Sequence, residues 1–442
     1  MIRRSAISVA AALAAALCTA PGLAAAPQPE QQQPPQQQTG SLPRGGTYVL
    51  YPDPTIGTAA IGLWFRAPSA GYDDATPGIA NLAATAAAVA PLASGKSLYA
   101  LVHSVGGDLN IQVYPDIVGI AAVVPASAAR RVVAAVTAAY FSPAVDDASV
   151  KTARANAAVL GVQQRYEADT TLHDLLFKQI FVRGPAHYPP LPTTLAEITS
   201  LHTDQIGTFA KRAFRSANAV LALTGNADAS VLSAVTDGNG GGNMDPPYDS
   251  AVAPDPAPST ASGLVGGIGL AWVGPPISDE KAATALDFVA DYLFRDETGV
   301  VMKALDESSS DALVVGQFIT LHDPGIMMVT IGGDRENKAR DRVLDALSAM
   351  RTPLDAPTFN AAREAFLYHV ASDTQTPHER ADNLGWYGAE GDMRYAPGIS
   401  GGTYGSIVRA LDPEYVAGVV KRYLGNPVVV NLLAATPKES SQ

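Results

Sequence analysis

The sequence predicts an α+β chain made of two copies of one unit, and three observations predict it. Strand-like runs and amphipathic helical stretches follow each other in blocks, the pattern of sheets and helices packed in layers. The same order of signals appears twice, at an offset of roughly 210 residues. Between the copies, residues 237–262 run through a Gly/Asn cluster into a Pro/Asp/Ser/Ala mixture, which is linker chemistry.

The chain opens with Met1-Ile2-Arg3-Arg4, an apolar run over 6–17 and the small-residue stretch Pro21-Gly22-Leu23-Ala24-Ala25-Ala26. A charged start, a short apolar stretch and a small-residue end read as a secretory signal peptide over 1–26. The run is too short for a membrane span. The protein is therefore expected to be exported, periplasmic or extracellular, with no stable transmembrane anchor. Cys18 is the sole cysteine, so removal of the signal leaves no disulfide. A lipid anchor at Cys18 is the alternative, although Leu17 stands before it where a small residue is preferred. Residues 27–40 are Gln/Pro-rich, lack apolar surface to bury, and read as a flexible leader.

The first copy, expected as a domain over 41–236, has a strand over 60–65 and a polar turn over 70–77 with Asp73-Asp74. A helix then starts at Gly78, and Gly106-Gly107 opens a further strand. A strand over 118–124, helices over 127–140, 149–166 and 205–214, and a strand over 218–223 come next. The second copy, a domain over 263–437, answers with strands over 267–273, 325–331 and 428–433 and helices over 280–293, 337–350 and 356–371. Ser127 and Asp204 are candidate helix caps, and Pro413 suits a first helical turn. Val133, Val136, Ala139 and Tyr140 recur at helical spacing and belong to a core. With 47% hydrophobic and 16% charged residues, each copy can bury a sizeable core. A net charge of −12 without basic clusters argues against a nucleic-acid partner. The 7 histidines are scattered without ligand spacing, and neither a metal nor any cofactor is expected.

Motif by motif, the chain resembles the insulinase-like (M16, pitrilysin) metallopeptidases. The carriers are Gly78-Ile79-Ala80 at the start of a helix, Gly106-Gly107 with Asn110 and Asp116, His187-Tyr188-Pro189, Thr194-Leu195-Ala196-Glu197-Ile198, and Asn218 to the Gly225-Asn226 pair. Agreement covers 48–228 and weakens towards 437. The resemblance implies two homologous domains in tandem, each a mainly antiparallel sheet packed with helices, facing each other like a clam. It also implies a His-x-x-Glu-His zinc helix and a later glutamate ligand. Carried over, those positions hold Asn81, Ala84, Thr85 and Val162, and His-x-x-Glu-His occurs nowhere in the chain. Zinc hydrolysis needs protein ligands and a base beside the bound water. The nearest carboxylates to Val162 are Glu167 and Asp169. The family's Arg and Tyr of the second domain have no match in 304–315; Tyr292 and Arg295 lie nearby but outside the motif.

The resemblance, with these losses, implies a non-catalytic homologue. Such a chain would pair with a zinc-bearing M16 chain to close a chamber in the cell envelope that binds and processes peptide. Extended peptide would add to a sheet edge, with Gly106, Gly107, Asn110 and Gln112 the candidate contacts. The same strand could instead be internal scaffolding. A stand-alone structural or peptide-binding envelope protein is the alternative, and an active zinc endopeptidase the third reading.

Overall fold

The computed structural model describes residues 37–67, 78–164, 166–181, 199–238, 240–246, 257–308, 310–334, 338–399 and 401–434. The signal segment, the turn with Asp73-Asp74, the His187-Tyr188-Pro189 loop, the 194–198 part of the next motif and the middle of the linker lie outside these residues.

The first half runs β1 (Gln38–Ser41), β2 (Thr47–Pro52), β3 (Thr58–Arg66), α1 (Ile79–Val89), α2 (Leu98–Ser104), β4 (Asp108–Val113), β5 (Ile117–Pro125) and α3 (Ala129–Phe141). It continues with α4 (Asp147–Gln164), α5 (Ala168–Ile180), α6 (Thr203–Ala213) and β6 (Ala219–Gly225). The second half runs β7 (Ser259–Gly263), β8 (Gly267–Val273), α7 (Glu280–Phe294), α8 (Val300–Glu307), β9 (Leu313–Ile319) and β10 (Ile326–Gly332). Then come α9 (Lys338–Ala349), α10 (Ala356–Ser372), α11 (Pro377–Glu390), α12 (Tyr404–Arg409), α13 (Pro413–Tyr423) and β11 (Val428–Ala434).

Each half builds its own sheet. The first has the order β1-β2-β6-β3-β5-β4, the second β7-β11-β8-β10-β9. Without β1 the two orders correspond strand for strand. In both, one outer pair is parallel (β2 with β6, β7 with β11) and the other neighbours are antiparallel. The duplicated α+β architecture read from the sequence is thus present.

Strand alternation explains the layering. Ile61, Leu63 and Phe65 of β3 enter the first core, with α1, α3 and α6 above it. Its Ala60 and Trp64 face the other way, into smaller clusters shared with Ala381, Leu384 and Ala389 of α11. Helix α11 therefore crosses from the second half onto the first sheet. A Cβ on Gly62 would come within 3.2 Å of the Ala381 carbonyl oxygen, which shows how closely the helix approaches. The matching helix α5 does the converse. Its Leu172, Leu176, Phe177 and Ile180 pack on Ala271, Met328 and Val430 of the second sheet. Gly269 leaves room for Leu176, which a Cβ there would meet at 2.9 Å. Each half thus lends one helix to the other's sheet.

Four local expectations are corrected. Ser127 does not cap α3: residues Ala126–Ala128 form a 3-10 turn, and no side-chain cap bond is made. His202, not Asp204, caps α6, in a reciprocal box with Gln205. The end of the leader forms β1, because Gln38–Ser41 pair with β2. The end of the linker forms β7, because backbone groups at 259–263 find partners on β11. Pro413 does occupy the first turn of its helix, behind the Asp412 cap.

Candidate functional site

Helix α1 carries three of the four positions where the resemblance puts zinc chemistry. Gly78 leads into it with φ of +78°, a conformation that costs glycine little. From Ala80 through Ala88 every residue is buried, so the helix lacks a solvent face over that stretch. Asn81 and Thr85 stand one turn apart and are 8% and 7% exposed. Ala84 is fully buried, and its carbonyl oxygen accepts a 3.0 Å hydrogen bond from the Tyr140 hydroxyl. Val162 lies on α4, which packs along α1, yet it is 55% exposed.

An amide, a methyl, a hydroxyl and an isopropyl group offer neither imidazole nor carboxylate to a metal. Among the described residues, no three His, Cys, Asp or Glu side chains gather in a way that could hold a metal ion. The two acids nearest Val162 are placed for other tasks. Glu167 stands at the N-cap of α5, and Asp169 accepts a hydrogen bond from Thr330 Oγ1, tying α5 to β10.

The peptide-binding candidates lie on and before β4, which ends the first sheet's strand order. Leu109, Ile111 and Val113 face the core; Asp108, Asn110 and Gln112 alternate with them. Gly106 takes φ of +77°. A Cβ on Gly107 would stand 2.6 Å from the Val123 carbonyl oxygen, so glycine is required there by contact. Asn110 is exposed. Gln112 is engaged: its Nε2 donates to Asp382 Oδ2 of α11 at 3.3 Å, and its Oε1 accepts from the Tyr114 hydroxyl at 3.3 Å. Three candidates thus border an edge, and the fourth bridges the halves.

The second half contains a cavity of about 740 Å³ between α7, β9, α10 and α11. Helix α7, the counterpart of α1, contributes Asp287 and Asp291, one turn apart. The Tyr404 hydroxyl donates to Asp287 Oδ2 at 2.8 Å, while apolar surroundings push the Asp287 carboxyl up to about 7. Burial also raises Asp291, against the His369 ring whose Nδ1 stands 2.9 Å from its Oδ2. Arg295 spans the rim with two bonds to Asp373, at 2.5 and 2.8 Å, so its guanidinium is committed within this half. Sequence periodicity missed this group. The available signal was a pair of aspartates at i and i+4 in an otherwise apolar helical stripe.

Where the halves meet, a second unforeseen cluster forms. Asp116 lies in the turn from β4 to β5, and Glu390 ends α11; both are buried. Arg66, at the end of β3, donates to the Ala389 and Asp245 carbonyl oxygens. The backbone N–H of His322 donates to Asp116 Oδ2 at 3.3 Å. Its Nδ1 lies 2.7 Å from the Glu390 carbonyl oxygen, an acceptor, so Nδ1 carries the proton.

Two homologous half-sheets with exchanged helices define the class: this is the M16-like peptidase fold. A protease from Helicobacter pylori matches with a TM-score of 0.77 and 14% identity, covering 91% of this chain and 100% of its own. A putative M16-like peptidase from Alicyclobacillus acidocaldarius matches at 0.73 with 16% identity, over 91% of this chain and 99% of that one. A peptidase M16 inactive domain from Pseudomonas fluorescens matches at 0.71 with 16% identity, over the same shares. No family profile matches the chain, and no curated protein matches it in sequence. Among the described residues, no helix is long and apolar enough to cross a membrane.

Proposed function

We propose that this chain is a non-catalytic M16-type subunit that pairs with a zinc-bearing homologue, completing an envelope chamber that holds and processes extended peptide. The observation that carries the reading is the α1 site. The scaffold for the zinc helix is retained and fully packed, while Asn81, Ala84, Thr85 and Val162 supply no zinc chemistry. The likeness in fold to an M16 inactive domain supports it. The β4 edge is the surface on which peptide would add as a further strand.

The test has two arms. Purified chain, dialysed and analysed for metal, should hold no stoichiometric zinc and leave a quenched peptide intact. Mixed with a homologue bearing His-x-x-Glu-His, it should give a new species by mass photometry, with peptidase activity above that of the homologue alone. Near one zinc per chain with chelator-sensitive cleavage would overturn the non-catalytic reading. A fully active homologue and no new species would overturn the partnership and leave a stand-alone binding or structural role.

A further inference from the structure

We propose that Asp116 and Glu390 share one proton across the junction of the two halves, and that this proton acts as a latch. It holds the end of α11 against the first sheet, and its loss as pH rises releases that contact.

The geometry carries the argument. Both residues are buried, at 6% and 1% exposure, and they come from opposite halves. Among the described residues, neither Asp116 Oδ1 nor Glu390 Oε1 has a hydrogen-bond donor, although both oxygens are buried. Two buried acceptor oxygens are costly to leave unpaired. Asp116 Oδ2 is already satisfied by the His322 N–H. The two carboxyl groups lie within hydrogen-bonding reach of each other, an arrangement that is repulsive if both are ionised and attractive if one is an acid.

The surrounding charges decide which arrangement holds. Arg66 faces the pair from β3. His322 faces it from the loop after β9, spending its backbone N–H on Asp116 and its ring N–H on the Glu390 carbonyl. Asp245 lies beyond Arg66, with its carboxylate held by Arg215 at 2.5 Å and Asn218 at 2.7 Å. One cation therefore meets two carboxyl groups. With one proton retained the trio is neutral; without it a net negative charge is buried. Glu390 is the group that keeps the proton. Burial first, then the Asp116 charge and the bond to it, raise its carboxyl well above the ordinary range, and only Arg66 and the His322 bond oppose this. It also sits in the last turn of a helix, where negative charge is disfavoured.

The sign is set by linkage. An acid whose folded-state affinity for its proton exceeds its unfolded-state affinity stabilises the fold fully below the unfolded value. That contribution fades as pH rises through the folded value. The latch is therefore closed in acid and weakens towards alkaline pH.

Hydrogen exchange of the last turn of α11 in the full chain, corrected for the chemical exchange rate, reads the latch directly. Between the open-state value and the raised value of the pair, where only the closed state holds the proton, opening should become about tenfold easier per pH unit in the wild type, and it should level off once that proton is lost. Glu390→Gln keeps a donor to Asp116 without a titrating charge and should remove that slope. Difference infrared spectroscopy on the wild type should show a protonated-carboxyl C=O band that is lost in Glu390→Gln or Asp116→Asn. An unchanged slope in Glu390→Gln, or no protonated-carboxyl band assignable to the pair at neutral pH, would overturn the proposal. If the variants fold poorly, the pH dependence of the wild-type band still decides it.

Discussion

Gly385 gives the sharpest test of how the halves are joined, because helix energetics and inter-half packing predict opposite signs there. It lies inside α11. By helix propensity alone, Gly385→Ala should stabilise the protein by about 1 kcal/mol. A Cβ at that position, however, would stand 1.9 Å from Cδ1 and 2.4 Å from Nε1 of Trp64. The indole has nowhere to go. Trp64 is 1% exposed, meets Trp386 edge-on at 5.6 Å, and fills the space that a Cβ on Gly119 would enter at 2.7 Å. Overpacking a rigid contact costs about 1–3 kcal/mol. After the helix gain is offset, a net loss of about 0–2 kcal/mol remains, towards the upper end for a contact as close as 1.9 Å. The control is Gly418→Ala on α13, an exposed site with nothing within 4 Å of the new Cβ, which should gain about 0.5–1 kcal/mol. Urea unfolding midpoints of both variants, with slopes fitted separately, give the comparison. If Gly385→Ala stabilises as much as Gly418→Ala, α11 does not bear on Trp64 as described.

Other substitutions probe the remaining arguments. Ala84→Glu puts a carboxylate at a fully buried position on α1 and should cost at least ~3 kcal/mol in urea unfolding, whereas a tolerated variant would mean the position opens to solvent. Leu176→Ala should lose about 2–5 kcal/mol, and hydrogen exchange should place the loosening in β8 and β11 of the other half; loosening confined to the first half would contradict the exchanged-helix packing. Asp287 is raised to about 7, so the stability it contributes as a neutral acid fades as pH rises from its ordinary value towards about 7. Asp287→Asn should therefore shrink the fall in thermal midpoint between about pH 5 and about pH 8, and a slope no smaller than wild type would show that this carboxyl does not titrate as described.

The repeated element order was legible because the central strands are apolar and regularly spaced, and the helices over them carry clear stripes. Helices α5 and α11 were not, since local periodicity does not say which sheet an apolar stripe covers. Their trace in the sequence is indirect: Gly62 and Gly269 put no side chain on one face of otherwise apolar strands, which signals a backbone or side chain pressed close. At the α1 site, the lack of imidazole and carboxylate at Asn81, Ala84 and Thr85 could be read from the sequence. The exposure of Val162 could not, because it depends on how α4 lies along α1. Asp116 was visible as a motif acid, but its partner Glu390 lies far along the chain and belongs to no pattern. The His202 cap was missed because histidine rarely fills that position, although Gln205 three residues later was the other half of the box.

The exchanged helices make the contact between the halves self-complementary in kind, such as two copies of a single half would form about a two-fold axis. On that view the segment joining β6 to β7 acts as a tether. It turns what would be an encounter of two molecules into an intramolecular event at an effective concentration on the order of millimolar. Covalent continuity between the halves is then a convenience of synthesis and stoichiometry rather than a requirement of the architecture. A molecule cut between Met244 and Ser259 should migrate as one particle and separate only when α5 and α11 leave the sheets they cover. It also means the two halves could diverge in chemistry while each remained the template on which the other folds.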